Sequence, residues 1–250
     1  MAVQNLIKEF SGNSGARINL IYNSKLCRYE VVKDNFNKSI ESAKILNSLP
    51  FHTPEIYEVT QDKIVMEYID GITIKTYLST ATHTDIDRLK AFLCQYIDQC
   101  LNNSQEYDFT DEISQKVLSL KPYIDLSNLF KNTNLVFPRS LIHGDFTLEN
   151  IIFSNNNFYF IDGNPTNLNS IVFDFNKLRQ DIEFSWFIRN IEVQTSYKMD
   201  CGYLLHQLKK KYPSLYNNDI TILMLSRILP YCRTLKNKNT VLESIIKLCL

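Results

Sequence analysis

The sequence predicts an α+β chain in two lobes: a small antiparallel sheet with one main helix, then a larger and mostly helical part. Three observations predict it. Short runs within residues 16–69 alternate apolar and polar side chains, the period of half-buried strands. One segment inside that region, 37–49, switches to helical period. Beyond Gly71 the apolar residues recur at helical steps, interrupted by one short β-like pair.

Taken in order, ARINLIY (16–22) sets Ile18, Leu20 and Tyr22 on one side. YEVVKDN (29–35) is a second strand, and NSK (23–25) is the turn between them. NKSIESAKILNSL (37–49) places Ile40, Ala43, Ile45 and Leu46 on one helical face, with Asn37 or Ser39 suited to its N-cap. EIYEVT (55–60) and KIVMEYI (63–69) are strands joined by Gln61 and Asp62. The first lobe therefore reads ββαββ over residues 1–70, and the second covers 71–250. In the second, THTDIDRLKAFLCQYIDQCLNN (82–103) aligns Ile86, Leu89, Leu93, Tyr96, Ile97 and Cys100 in one stripe. DEISQKVLSL (111–120) is a shorter helix. NIIF (150–153) and FYFID (158–162) are strands around the turn NNN (155–157), and from about residue 174 the pattern is helical to the end.

The totals exclude several classes. With 250 residues there is room for one large domain or two small ones, and 44% hydrophobic with 22% charged residues is the composition of a soluble globular protein. Lys plus Arg equals Asp plus Glu, 27 of each, so no global field favours nucleic acid or an anionic membrane. The densest basic run, LKKKYP (208–213), reads as the solvated end of a helix. The six cysteines form no C-x-x-C pair, against a zinc knuckle or redox dithiol. MAVQNLIKEF has no basic start followed by an apolar block, and no apolar run approaches ~20 residues. The expectation is a reduced, cytoplasmic protein without membrane insertion.

The chemistry concentrates in LIHGDFTLENIIF (141–153), where His143, Asp145, Glu149 and Asn150 lie between apolar flanks. Asp162 ends the strand that follows, so the hairpin is expected to bring Asp145, Asn150 and Asp162 to one rim. Two carboxylates and an amide oxygen are hard donors that suit Mg²⁺ with phosphates; a pair of Asx turns uses the same residue types. Other features stand in a fixed order around this loop. Lys33 ends VVK on a strand, Glu41 follows eight residues later in the first helix, and FSGNSGARI (10–18) is a Gly/Ser turn upstream. VMEYIDG (65–71) closes the sheet region, and Asp162 is followed by Gly163.

His143-Gly144-Asp145 with Asn150 has the spacing of the protein-kinase catalytic loop. Together with Glu67 to Gly71 as E-x-x-x-G, Ile161-Asp162, and a further acid at Asp174, the pattern resembles the aminoglycoside phosphotransferase and choline kinase group. That group is the small-molecule branch of the protein-kinase-like fold. The resemblance covers roughly residues 10–180; the remainder matches only in being helical. It implies a bilobal kinase-like fold and Mg²⁺-dependent use of ATP or GTP. It implies that Asp145 is the catalytic base, that Asn150 and Asp162 hold Mg²⁺, and that Lys33 touches the α/β-phosphates and pairs with Glu41. Adenine would bond backbone groups near Glu67 and Ile69, with Met66 behind it, and Ser14 and Gly15 would approach the phosphates. His143 is expected to fix the loop, and Asp174 to buttress it. There is no Walker-A Lys, which excludes a P-loop enzyme.

Only twelve residues separate Asp162 from Asp174, and A-P-E is absent, so no long activation segment can dock a protein substrate. A small hydroxyl compound is the expected acceptor: a sugar, a sugar-linked metabolite or an amino alcohol. HGDFTLEN and DFNKLRQD resemble phosphotransferase-like proteins of bacterial surface polysaccharide metabolism. In RQDIEFSWFIRN (179–190), Asp181 and Glu183 suit a cationic amine, and Trp186 or Phe187 could stack on a sugar or quaternary ammonium. The competing reading is a helix that turns Ile182, Trp186 and Phe187 to the core. The rival to an enzyme is a silent, pseudokinase-like nucleotide-binding or regulatory module; the filled chemical positions argue against it.

Overall fold

The computed structural model describes residues 4–11, 16–131, 133–189 and 195–250. Strands β1 (Gln4–Ser11), β2 (Arg17–Asn23) and β3 (Arg28–Asp34) precede helix α1 (Ser39–Ser48); β4 (Ile56–Val59), β5 (Ile64–Glu67) and β6 (Ile72–Thr73) follow. Next come α2 (Ile74–Thr80), α3 (His83–Asn102), β7 (Gln105–Asp108), α4 (Thr110–Leu120) and β8 (Val136–Arg139). The polar loop leads into β9 (Ile151–Ser154) and β10 (Asn157–Phe160). Helices α5 (Ile171–Ile182), α6 (Thr195–Lys211), α7 (Asn218–Ser226) and α8 (Leu235–Cys249) complete the chain. Two compact units result: Met1–Thr73 with Asn150–Pro165, and Ile74–Glu149 with Thr166–Leu250.

The first unit holds an antiparallel sheet in the order β1-β2-β3-β5-β4. Its core joins Ala16, Phe36, Ala43, Ile64 and Met66, with Val31 and Ile56 against them. Strand β1 was not foreseen. Residues 5–9 all lie exposed, and the pairing with β2 carries a bulge between Leu6 and Lys8. A strand that makes ladder bonds while five successive side chains stay exposed leaves no alternating signal there.

Helix α1 forms where expected, with a rotated face. It buries Ser39, Ser42, Ala43 and Leu46, while Ile40 is 39% exposed. Neither expected residue caps it: the N-cap is Lys38, without a side-chain cap, and Ser39 Oγ instead donates to Thr60 O at 2.5 Å.

A second, three-stranded sheet, β10-β9-β6, draws the 150–165 hairpin into this unit, although the sequence reading assigns the hairpin to 71–250. Ile72 pairs with Phe153 and Thr73 with Ile152. Gly71 makes this approach possible. A Cβ there would stand 2.6 Å from Phe153 O and 2.6 Å from Ile152 Cγ2. The glycine of E-x-x-x-G is therefore required by a backbone passing close to it.

The second unit is built on α3 and α5. The α3 stripe Ile86, Leu89, Leu93, Tyr96, Ile97 and Cys100 is buried as its period predicts. Thr82 and Asp85 form a capping box at its start. A short β7–β8 pair, also unforeseen, adds to this unit. Helix α5 is buried over almost its whole length, polar residues included. Its Arg179 is satisfied by Asn176 Oδ1 at 3.0 Å, Thr221 Oγ1 at 2.6 Å and Glu183 Oε2 at 2.8 Å. Among the described residues no helix is long and apolar enough to cross a membrane.

Candidate active site

Within the first unit, β3 carries Lys33 inward, so that its side chain is buried. Its ammonium lies 4.0 Å from the Phe36 ring centroid and 2.5 Å from Asp162 Oδ1. The two residues are 129 positions apart in sequence. Asp162 follows β10 with φ of 61°, a left-handed backbone that aspartate tolerates better than most residues. Its carboxylate keeps 46% exposure. Ile161 N–H donates to Asn150 O at 3.0 Å, which holds Asn150 beside the residue preceding Asp162. Ser42 Oγ donates to Gly163 O at 2.6 Å and ties α1 to the same turn.

Within the second unit, α5 supports the loop 143–149 with three side chains. Asp174, Lys177 and Asp181 are spaced i, i+3 and i+7, so they share one face of the helix. Asp174 Oδ2 accepts Gly144 N–H at 3.1 Å and the Tyr96 hydroxyl at 2.6 Å. That hydroxyl in turn accepts His143 N–H at 2.8 Å. The Lys177 ammonium contacts Asp145 Oδ1 directly. Asp181 Oδ2 accepts Leu148 N–H at 2.7 Å. Thr147 N–H closes on Asp145 O at 2.8 Å, and Gly144 sits at φ 78°, where a glycine bends the chain without strain.

The electrostatics follow from burial. Desolvation pushes the Asp174 carboxyl up, opposed by His143, the Tyr96 hydroxyl and the N–H groups of Gly144 and Phe146. Burial, reinforced by Glu149, pushes Asp181 up to about 8, against the Leu148 N–H, Lys177 and Arg189. Burial, with Arg227 adding, pushes the Lys177 ammonium well down from the lysine range, opposed by Asp181. The Asp145 carboxylate in direct contact also favours the charged ammonium.

The predicted residues thus fall into separate groups. Lys33 meets Asp162 in the first unit, where the Asn150 backbone is bonded to Ile161; Asp145 belongs to the second. The expected Lys33–Glu41 pair does not form. Glu41 is exposed on α1, off the stripe that buries Ser42, and Lys33 meets Asp162 instead. Glu67 N–H donates to Glu55 O at 2.8 Å, and its Oε2 accepts Glu55 N–H at 3.1 Å. Ile69 is buried, and Met66 belongs to the sheet core. Ser14 and Gly15 lie outside the described residues.

In 179–189, Asp181 is fully buried under the loop, and Glu183 is taken by Arg179 and by the Tyr216 hydroxyl at 2.9 Å. Phe187 packs in the core against Tyr197, while Trp186 is half-buried beneath Arg189, 4.3 Å from its ring centroid. Three functional-looking roles escaped the sequence reading: Lys177, the Tyr96 hydroxyl, and Asp181 as a loop anchor. The signal for two of them was present, as D-x-x-K-x-x-x-D on the helix after the loop.

The fold is shared with solved kinases of small molecules. A putative fructosamine-3-kinase from Thermobifida fusca is 9% identical over 99% of this chain and 93% of that chain, with a TM-score of 0.53. A glucosamine kinase is 8% identical over 99% of this chain and 94% of that chain, with a TM-score of 0.51. No protein-family model and no curated protein matches the sequence. The chain therefore has the α+β kinase-like fold that its motifs implied, a small sheet lobe with one main helix and a larger helical lobe.

Proposed function

We propose that this chain is a Mg²⁺-dependent phosphotransferase that moves the γ-phosphate of ATP or GTP to a hydroxyl of a small molecule. The observation that carries the reading is the 2.5 Å contact between Lys33 and Asp162. A strand lysine and a hairpin aspartate, remote in sequence, are held together, which supports a reading in which one meets phosphate and the other the metal. Lys33 binds the α/β-phosphates in this reading, and backbone near Glu67 and Ile69 receives the base. The chain's donors fit the ion. Asp162 offers a half-exposed carboxylate and Asn150 an amide oxygen, and Mg²⁺ takes one or two carboxylates with water and phosphate completing its shell. The ion would neutralise charge on the phosphates. Asp145 accepts the proton of the substrate hydroxyl as that oxygen bonds to the γ-phosphorus and the bond to the nucleoside diphosphate breaks. The acceptor class is a sugar, a sugar-linked metabolite or an amino alcohol, with surface polysaccharide metabolism as a setting.

A second reading is a silent nucleotide-binding module. It is favoured by the Lys177 contact, which engages the proposed base. Two measurements test the choice. A thermal-unfolding scan with ATP or GTP, with and without Mg²⁺, should show a Mg²⁺-dependent rise; a ligand at ~100 times its dissociation constant adds ~2.7 kcal/mol. Asp162→Asn should lose most of that rise. Transfer of labelled γ-phosphate to a panel of sugars and amino alcohols should occur with the wild type and vanish in Asp145→Ala. Absence of any nucleotide shift at millimolar ligand refutes both readings. A shift without transfer leaves the silent module.

A further inference from the structure

We propose that Lys177 is the positioning residue of Asp145: the ammonium carried by α5 holds the loop carboxylate by its Oδ1 oxygen, in one orientation and in its charged form. The inference rests on the phosphotransferase reading and adds a residue to it. The loop backbone is already fixed by Asp174 at Gly144 and by Asp181 at Leu148. Those bonds act on the loop backbone, and the orientation of the Asp145 carboxylate is a separate choice among staggered rotamers. Lys177 adds a direct hold on the carboxylate from the same helix face, so backbone and carboxylate are both referred to α5. The Lys177 side chain is 13% exposed and that of Asp145 29%. A lysine so enclosed is costly unless it is paired. The titratable groups that face it are Asp181 on the next turn of α5, Arg227 at the end of α7, and Asp145 itself. Arg227 repels the ammonium and the Asp145 carboxylate attracts it; Asp181 adds attraction only once pH rises past about 8 and it ionises.

The test is a carboxyl ¹³C titration of Asp145 in the wild type, Lys177→Met and Lys177→Arg, with kcat and KM for nucleotide measured on the same proteins. Removing a cation beside a carboxylate raises its pKa. Lys177→Met should therefore move the Asp145 titration up by about one pH unit, and the acid limb of kcat with it. At pH 7 kcat should fall about tenfold while KM for nucleotide stays within about twofold, the pattern of a lost transition-state contribution. Lys177→Arg should restore the low titration and part of kcat, which a merely structural role would not predict. Where Lys177→Met does not fold, as judged by thermal unfolding, Lys177→Gln takes its place. An Asp145 titration identical in wild type and neutral variant overturns the proposal. So does a large rise in KM for nucleotide at unchanged kcat, which would make Lys177 a phosphate ligand. The titration needs no turnover. A moved titration in a protein that transfers no phosphate would sink the phosphotransferase reading while leaving the hold of Lys177 on Asp145 standing.

Discussion

Replacing Asp181 by asparagine should remove a defined part of the protein's pH dependence. Asp181 is fully buried, its Oδ2 holds Leu148 N–H, and its Oδ1 has no hydrogen-bond partner among the described residues. Burial, with Glu149 adding, raises its carboxyl from 3.8 to about 8. Between those values the folded chain keeps a proton that the unfolded chain has released. The group's contribution to stability is therefore complete below about pH 4 and is lost as pH rises through about 8. The slope is about 1.4 kcal/mol per pH unit, or about 3 kcal/mol between pH 5 and pH 7. An asparagine has the same shape and can accept from Leu148 N–H, but it cannot ionise. Urea unfolding of wild type and Asp181→Asn at pH 5, 6, 7 and 8 measures the difference. The variant's advantage should grow steadily with pH across this series. Parallel curves, constant within about 0.5 kcal/mol, would show Asp181 ionised in the fold and refute the reasoning.

Three further substitutions probe the scaffold. Tyr96→Phe deletes the hydroxyl that bridges Asp174 and His143 N–H, and should cost about 2–4 kcal/mol in chemical unfolding, since one lost bond is to a charged group. A cost below about 0.5 kcal/mol would mean that water replaces the bridge without penalty. Gly71→Ala drives a Cβ onto the Phe153 carbonyl and should lower stability by about 1–3 kcal/mol, read as a drop in Tm; an unchanged Tm would deny the close approach. Ser42→Ala strips the donor from Gly163 O and should cost about 1–2 kcal/mol while also weakening Mg²⁺-dependent nucleotide binding, because the turn carrying Asp162 loosens. Calorimetric titration showing wild-type affinity would detach Ser42 from that turn.

Much of the local structure was legible because it is periodic. The stripe on α3 follows from spacing alone, since a helix advances 100° per residue and buries whatever recurs at that angle. The β9–β10 hairpin was legible from two apolar runs around Asn155 and Asn156, both of which take positive φ. Strand β1 was not, because its described side chains, residues 5–9, all lie exposed and set no period. The α1 face was misread by the placement of Ile40, as small serines, not the larger apolar residue, fit beneath the helix.

For the candidate site, the order and spacing of Lys33, Asp145, Asn150 and Asp162 were written in the sequence, as was the fold class they imply. Partner choice was not. Lys33 meets Asp162 and not Glu41, because α1 turns Ser42 inward and Glu41 out, an orientation set by packing and not by the Lys-to-Glu spacing. Asp181 suited a cationic amine by residue type and is a buried anchor for Leu148. Lys177 was not singled out, because its spacing alone does not show that packing sets it on Asp145. A sequence specifies which groups are available and at what angle they leave a helix. Which of them lose water, and against whom, is decided only when the elements pack, and desolvation is what turns an ordinary Asp or Lys into a working one.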